Sequence, residues 1–140
     1  MGIEELVQHL DESFDPETSS EVILLYIENI SRPKLLLKHA ASLIRKGCKI
    51  AAVKAGASEA GSRAASSHTG ALASSDKAVD ALFKKAGIVR CYGREDLIAV
   101  GSVFMHPELK GKNVAIITHA GGPAVMLTDA LSEGGLEIPE

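Results

Sequence analysis

One imidazole in this chain has an unusual setting. His68 lies inside EAGSRAASSHTGALASSD, from Glu59 to Asp76, as the single aromatic ring among Ser, Ala, Gly and Thr. Gly56, Gly61 and Gly70 give the segment backbone freedom, and Ser66, Ser67 and Thr69 place hydroxyls and amides on either side of the ring. Such a loop can wrap an anion or swing. A neutral imidazole held at one nitrogen is a nucleophile at the other. Glu28, which follows the apolar run VILLYI, supplies a carboxylate that can accept the imidazole N–H, fix the tautomer and stabilise positive charge on the ring. A third feature is the turn THAGGPAV, in which Gly121 and Gly122 precede Pro123. Glycines at a helix start expose backbone N–H groups where the helix dipole is positive, which suits a phosphoryl group. Each feature has a plainer reading: an ordinary surface histidine, a solvated carboxylate and a tight strand-to-helix connection.

Other chemistries find less support. No G-x-S-x-G elbow marks a serine nucleophile, and neither G-x-x-x-x-G-K-[ST] nor G-x-G-x-x-G occurs to mark a nucleotide site. Cys48 and Cys91 are far apart, with no C-x-x-C spacing, so neither a disulfide framework nor a zinc site is indicated. His68, His119 and the two cysteines have no ligand-pair spacing, so no metal site is expected. His9 and His39 fall on helices and His106 precedes a proline; all three read as structural or exposed. His119 adjoins the glycine pair and has at most a supporting part. Lys54 and Arg63 flank the histidine loop and can meet a phosphate, although solvated surface charge is the plainer expectation for both.

These residues need elements to position them. Ile3–Glu12 carries Ile3, Leu6, Val7 and Leu10 at helical spacing. EVILLYIENI, Glu21–Ile30, is a continuous apolar run of the kind buried in a parallel sheet. Pro33 fits a helix first turn, and KLLLKHAASLIRKG follows with Gly47 as its stop. CKIAAVKAG reads as a second strand. Helical spacing returns with Ala78, Leu82 and Phe83, capped by Ser74, Ser75 or Asp76. IVRCYG reads as a third strand, REDLIAVGSVFM as a helix, KNVAIITHAGG as a strand and PAVMLTDALSEGG as a helix. Strands alternating with helices over short links give an α/β fold: a three-layer parallel sheet with helices on both faces. In such sheets ligands bind beyond the carboxyl ends of the strands, and Glu28, the His68 loop and the Gly121–Gly122 turn each follow one.

Composition agrees. The 140 residues are 46% hydrophobic, with three Phe, two Tyr and no Trp, so the core must be aliphatic. A net charge of −3 argues against an electrostatic nucleic-acid binder. No apolar run approaches the roughly 20 residues of a membrane helix, and no signal peptide opens the chain, so a cytoplasmic location is expected.

EAGSRAASSHTGALASSD, preceded by LLYIENI and followed by VAIITHAGGPAVMLTDAL, resembles the NDP-forming acyl-CoA synthetases, the ADP-forming acetyl-CoA synthetases related to succinyl-CoA synthetase. The resemblance covers nearly the whole chain, and SSHTGALA is its most specific segment. It implies a flavodoxin-like domain of the succinyl-CoA synthetase type over residues 1–109, with its first strand missing, and the opening strand and helix of a further domain over 110–140. It also implies an acid–thiol ligase that interconverts acyl-CoA, phosphate and ADP with acid, CoA and ATP through a phosphohistidine. His68 would be that carrier and Glu28 the carboxylate that orients it. Ser66, Ser67, Thr69 and Gly70, with Ala120, Gly121 and Gly122, would hold the phosphoryl group. CoA, ADP or ATP and magnesium would belong to the full enzyme, in a CoA-binding domain and an ATP-grasp domain or subunit absent from this chain. The chain would then meet phosphate or an acyl phosphate, and would not complete the reaction alone. An open sheet edge also invites pairing with another copy. The alternative is a non-catalytic regulatory module fused to another enzyme, such as a protein acyltransferase. A receiver-like signalling domain would need a clustered acidic pocket, which Glu28 alone does not supply.

Overall fold

A computed structural model describes residues 2–56, 61 and 76–139. The chain divides into two compact units, Met1–His106 and Pro107–Glu140.

In the first unit the order is α1 (Ile3–Glu12), β1 (Val22–Ile27), α2 (Pro33–Arg45), β2 (Lys49–Lys54), α3 (Asp76–Ala86), β3 (Val89–Cys91) and α4 (Arg94–Phe104). The three strands form one parallel sheet in the order β1-β2-β3. In register, Leu25 lies beside Ala52 and Ile27 beside Lys54, while Ala52 lies beside Arg90. Side chains alternate between sheet faces. One face carries Leu25, Ile27, Ile50 and Ala52 into a core completed by Leu36, Ala40 and Leu43 of α2 and by Val79 and Phe83 of α3. The other face is covered by α4, where Gly101 lets the helix backbone settle against Leu24: a Cβ there would stand 2.8 Å from Leu24 Cδ1. Lys49 Nζ donates to the Phe104 carbonyl at 3.0 Å at the end of the same helix. Helices therefore cover both faces, giving the three layers expected.

Two expectations need correction in this unit. The β1 run is not buried throughout: Leu24 is 44% and Tyr26 64% exposed, because α4 covers their face only in part. In α1, Leu6 and Leu10 are half exposed, and the buried stripe is Glu4, Val7 and Asp11. Two carboxylates on that stripe clip α2 in place. Glu4 Oε1 accepts the Arg32 backbone N–H at 2.7 Å, at the start of α2. Asp11 pairs with His39 Nδ1 at 2.8 Å and with Lys46 Nζ at 2.8 Å. His39 is thus a buried structural residue.

The second unit contains α5 (Gly121–Glu133). The strand expected over KNVAIITHAGG is reduced to a single parallel bridge, Asn113 with Glu137, made by Val114 N–H to the Glu137 carbonyl and Glu137 N–H to the Lys112 carbonyl, both 2.8 Å. A ladder needs successive partners on a second strand, and among the described residues this segment finds them only at Glu137. Ile117 is 98% exposed.

Candidate phosphoryl-transfer site at the carboxyl edge of the sheet

The carboxyl ends of β1, β2 and β3 form the edge at which α/β sheets bind ligands. β1 ends at Ile27 and places Glu28, exposed, just beyond it. The ladder closes here, with the Ala55 N–H donating to the Ile27 carbonyl at 2.9 Å, so Glu28 lies at the mouth of the sheet beside the end of β2. Gly56 follows with φ of 71°, a left-handed conformation that favours glycine, and turns the chain off the sheet. His68, with Ser66, Ser67, Thr69 and Gly70, lies outside the described residues, as does Arg63.

Lys54, the last residue of β2, is 6% exposed, which overturns the expectation of a solvated surface charge. Its ammonium donates to the Ala55 carbonyl. Burial pushes its pKa below the usual lysine range and the nearby Arg90 charge adds to this, against the opposing pull of Asp76 and Glu28. Arg90, on β3 and on the same sheet face, has a side chain only 8% exposed. Its guanidinium is bound by Asp76 at the first turn of α3, faces Asp80 at 3.6 Å and stacks 5.1 Å over the Tyr92 ring. The Asp76 hydrogen bond holds Arg90 firmly protonated. An open cavity of about 470 Å³ lies against Asp76, Asp80, Arg90 and Tyr92. A smaller apolar one of about 300 Å³ lies between Ile30, Pro33, Val79 and Leu82.

The Arg90–Asp76–Asp80 group escaped the sequence reading. Its signal was an arginine inside the otherwise apolar β3, which has to be paired if it is buried. Lys54 carried a similar signal at the end of an apolar strand.

In the second unit, Ala120 is the N-cap of α5 and Gly121 and Gly122 are its first residues. No side chain caps this end, and a Cβ at either glycine would meet open space. Its leading N–H groups therefore face outward with the dipole behind them. His119 is exposed. The two thiols, Cys48 and Cys91, are buried, and burial pushes both above the usual range. Among the described residues no group of three or more His, Cys, Asp and Glu is placed to hold a metal ion, and no helix is long and apolar enough to cross a membrane.

The chain belongs to the family of succinyl-CoA ligase-like flavodoxin domains, whose pattern it matches over residues 1–104. It is 40% identical over 118 residues to the alpha subunit of the ADP-forming acetate–CoA ligase II of Pyrococcus furiosus, covering 84% of this chain and 26% of that subunit. It is 35% identical to the ADP-forming 4-hydroxybutyrate–CoA ligase of Nitrosopumilus maritimus, covering 86% of this chain and 18% of that enzyme. Among solved structures it superposes on the acetyl-coenzyme A synthetase 1 of Candidatus Korarchaeum cryptofilum, in complex with phosphate and ADP. That match has a TM-score of 0.82 and 29% identity, over all of this chain and 30% of the synthetase. The chain thus spans between about a fifth and a third of the length of these relatives.

Proposed function

We propose that this chain carries the phosphohistidine of an ADP-forming acyl-CoA synthetase, an acid–thiol ligase, and that His68 is the carrier. The observation that supports this most strongly is the 118-residue match, at 40% identity, to a subunit of an ADP-forming acetate–CoA ligase. The Glu28 carboxylate at the sheet mouth holds one imidazole N–H. The other ring nitrogen, unprotonated, attacks the phosphorus of an acyl phosphate, and the P–O bond to the acyl group breaks to release the carboxylate. An oxygen of the ADP terminal phosphate then attacks the phosphohistidine, the P–N bond breaks, and ATP and free imidazole result. Hydroxyls and amides of Ser66, Ser67, Thr69 and Gly70 surround the phosphoryl group. We also assign phosphoryl binding to Ala120, Gly121 and Gly122 at the start of α5, where helix N–H groups supply fixed positive dipoles.

Residues 1–109 form the histidine-bearing domain in this reading, and residues 110–140 open the next. CoA, nucleotide and magnesium belong to partner domains or a partner subunit, and the enzyme acts in the cytoplasm. Relatives named for acetate and for 4-hydroxybutyrate match this chain at 40% and 35%, so we place the choice of acyl group outside it.

Intact-mass measurement after incubation with acetyl phosphate tests the assignment, with a His68→Asn control. The incubation is repeated with ATP, magnesium and the nucleotide-binding partner. An acid-labile phosphoryl adduct on the unsubstituted chain, absent from the variant, is expected. No adduct in the reconstituted system would remove His68 as carrier.

A further inference from the structure

The proposed chemistry uses His68, Glu28 and the glycines of α5, and leaves the buried cation at the end of β2 without a task. Lys54 is buried, yet its ammonium has three donors and the described residues give it one acceptor, the Ala55 carbonyl. Among the described residues no carboxylate forms an ion pair with it, whereas the neighbouring buried cation, Arg90, has Asp76 and Asp80. Arg90 itself keeps a buried Nε–H with no acceptor among the described residues. Both cations occupy one sheet face, on adjacent strands, with Lys54 two residues further along the ladder toward the carboxyl edge. A buried ammonium without a carboxylate partner is costly, and among the described residues Lys54 has none in contact, so an anion arriving at this edge would be stabilised by it. Lys54 is the register partner of Ile27, the residue before Glu28, so it stands at the base of the candidate site.

We infer that Lys54 is an oxyanion-binding residue of this edge, its ammonium taking a tetrahedral phosphoryl dianion. The inference rests on reading the edge as a phosphoryl-transfer site. Binding and covalent transfer are nevertheless measured separately, so the two can fail independently. The dianion is supplied either by free phosphate or by the phosphoryl group of an acyl phosphate. A carboxylate is the weaker ligand because it brings a single charge. The charges that act on the ammonium are Asp76 at the start of α3 and Glu28 just past β1, which favour its charged form, and Arg90 on β3, which opposes it. A bound dianion adds negative charge to a face where, among the described residues, the ion pairs are made by Arg90 and not by Lys54.

The test is calorimetric titration of the 140-residue chain with inorganic phosphate and with acetyl phosphate at constant ionic strength, with acetate as the control. Saturable binding of both phosphoryl compounds is expected, with acetate much weaker. Lys54→Met should weaken phosphate by about tenfold or more, the loss of one charge-assisted hydrogen bond, and Lys54→Arg should restore most of it. The Lys54 side-chain resonances of the unsubstituted chain, followed by NMR, should shift saturably with phosphate, a readout that does not depend on any variant folding. Unchanged phosphate affinity in a folded Lys54→Met chain, or Lys54 resonances that do not move at saturation, would overturn the inference. A missing His68 adduct alongside Lys54-dependent phosphate binding would remove the histidine carrier and leave this site standing.

Discussion

Asp11 shows how a carboxylate is kept ionised inside this fold. Burial alone would raise its pKa, but hydrogen bonds from Lys46, His39 and Ser42 outweigh that effect and hold it at about 2, against an ordinary 3.8. A folded value below the unfolded one means that the stabilisation is present above about pH 4 and is lost as pH falls toward 2. The gap corresponds to about 2 kcal/mol. Urea unfolding between pH 6 and pH 2 should show this loss in the unsubstituted chain and not in Asp11→Asn. That variant should already be about 3 kcal/mol less stable at pH 6, because it strands Lys46 and His39 beside a neutral amide. Parallel pH curves for the two proteins would contradict the account. Asp76 and Arg90 make a second residue-scale case. Arg90 is buried while Asp76 is about two-fifths exposed, so solvent screens part of the attraction. A double-mutant cycle with Asp76→Asn and Arg90→Met should give a coupling of about 1 kcal/mol, and additive effects would show that the pair is not coupled.

At the scale of elements, α4 is seated on the sheet by an absent side chain. Gly101 brings the helix backbone onto Leu24, with Cδ1, Cδ2 and Cγ of that residue at 2.8, 3.2 and 3.5 Å from where a Cβ would stand. Gly101→Leu should lift the helix and cost about 1–3 kcal/mol by overpacking. Leu24→Ala in the same chain should return part of that loss, and a double variant no better than the single would contradict the contact. Much of this layout was legible in sequence. Pro33 and Gly47 bracket α2, and the apolar runs ending at Ile27 and Lys54 mark the two longest strands. What escaped were features whose cause is tertiary. Hydrophobic spacing assigned Leu6 and Leu10 to the buried side of α1, whereas His39 on α2 and the flanking Arg32 and Lys46 select Glu4 and Asp11. The apolar run VAIIT has the composition of a strand, but pairing is decided by the neighbouring chain. At the candidate site, Glu28 falls just past a strand end and Gly121–Gly122 at a helix start, both as read from pattern. The burial of Lys54 was not legible, because a lysine closing a strand has the same local sequence whether it meets solvent or the Arg90 side of a sheet.

The whole molecule distributes its stability unevenly. Among the described residues, every member of the hydrophobic core, from Val7 to Ile88, belongs to the first unit. α5 contributes no buried residue, whereas α2 buries Leu36, His39, Ala40 and Leu43. An isolated 13-residue helix is marginal in water, so α5 has little beyond its own hydrogen bonds to resist opening. Amide exchange should therefore separate the two helices. Protection in the middle of α2 should report global unfolding, and in α5 it should approach the free energy of local fraying. A chain ending at His106 should in turn keep the urea midpoint of the whole, within about 0.5 kcal/mol, as expected for changes away from a core. Equal protection in both helices, or a large loss on truncation, would mean that the second unit shares in the cooperative core. The expected result has a functional side. Glycines at the start of a weakly held helix can present their N–H groups to a phosphoryl group only where other contacts order that helix. On the function proposed above, adding CoA- and nucleotide-binding partner domains should raise α5 protection while leaving α2 unchanged.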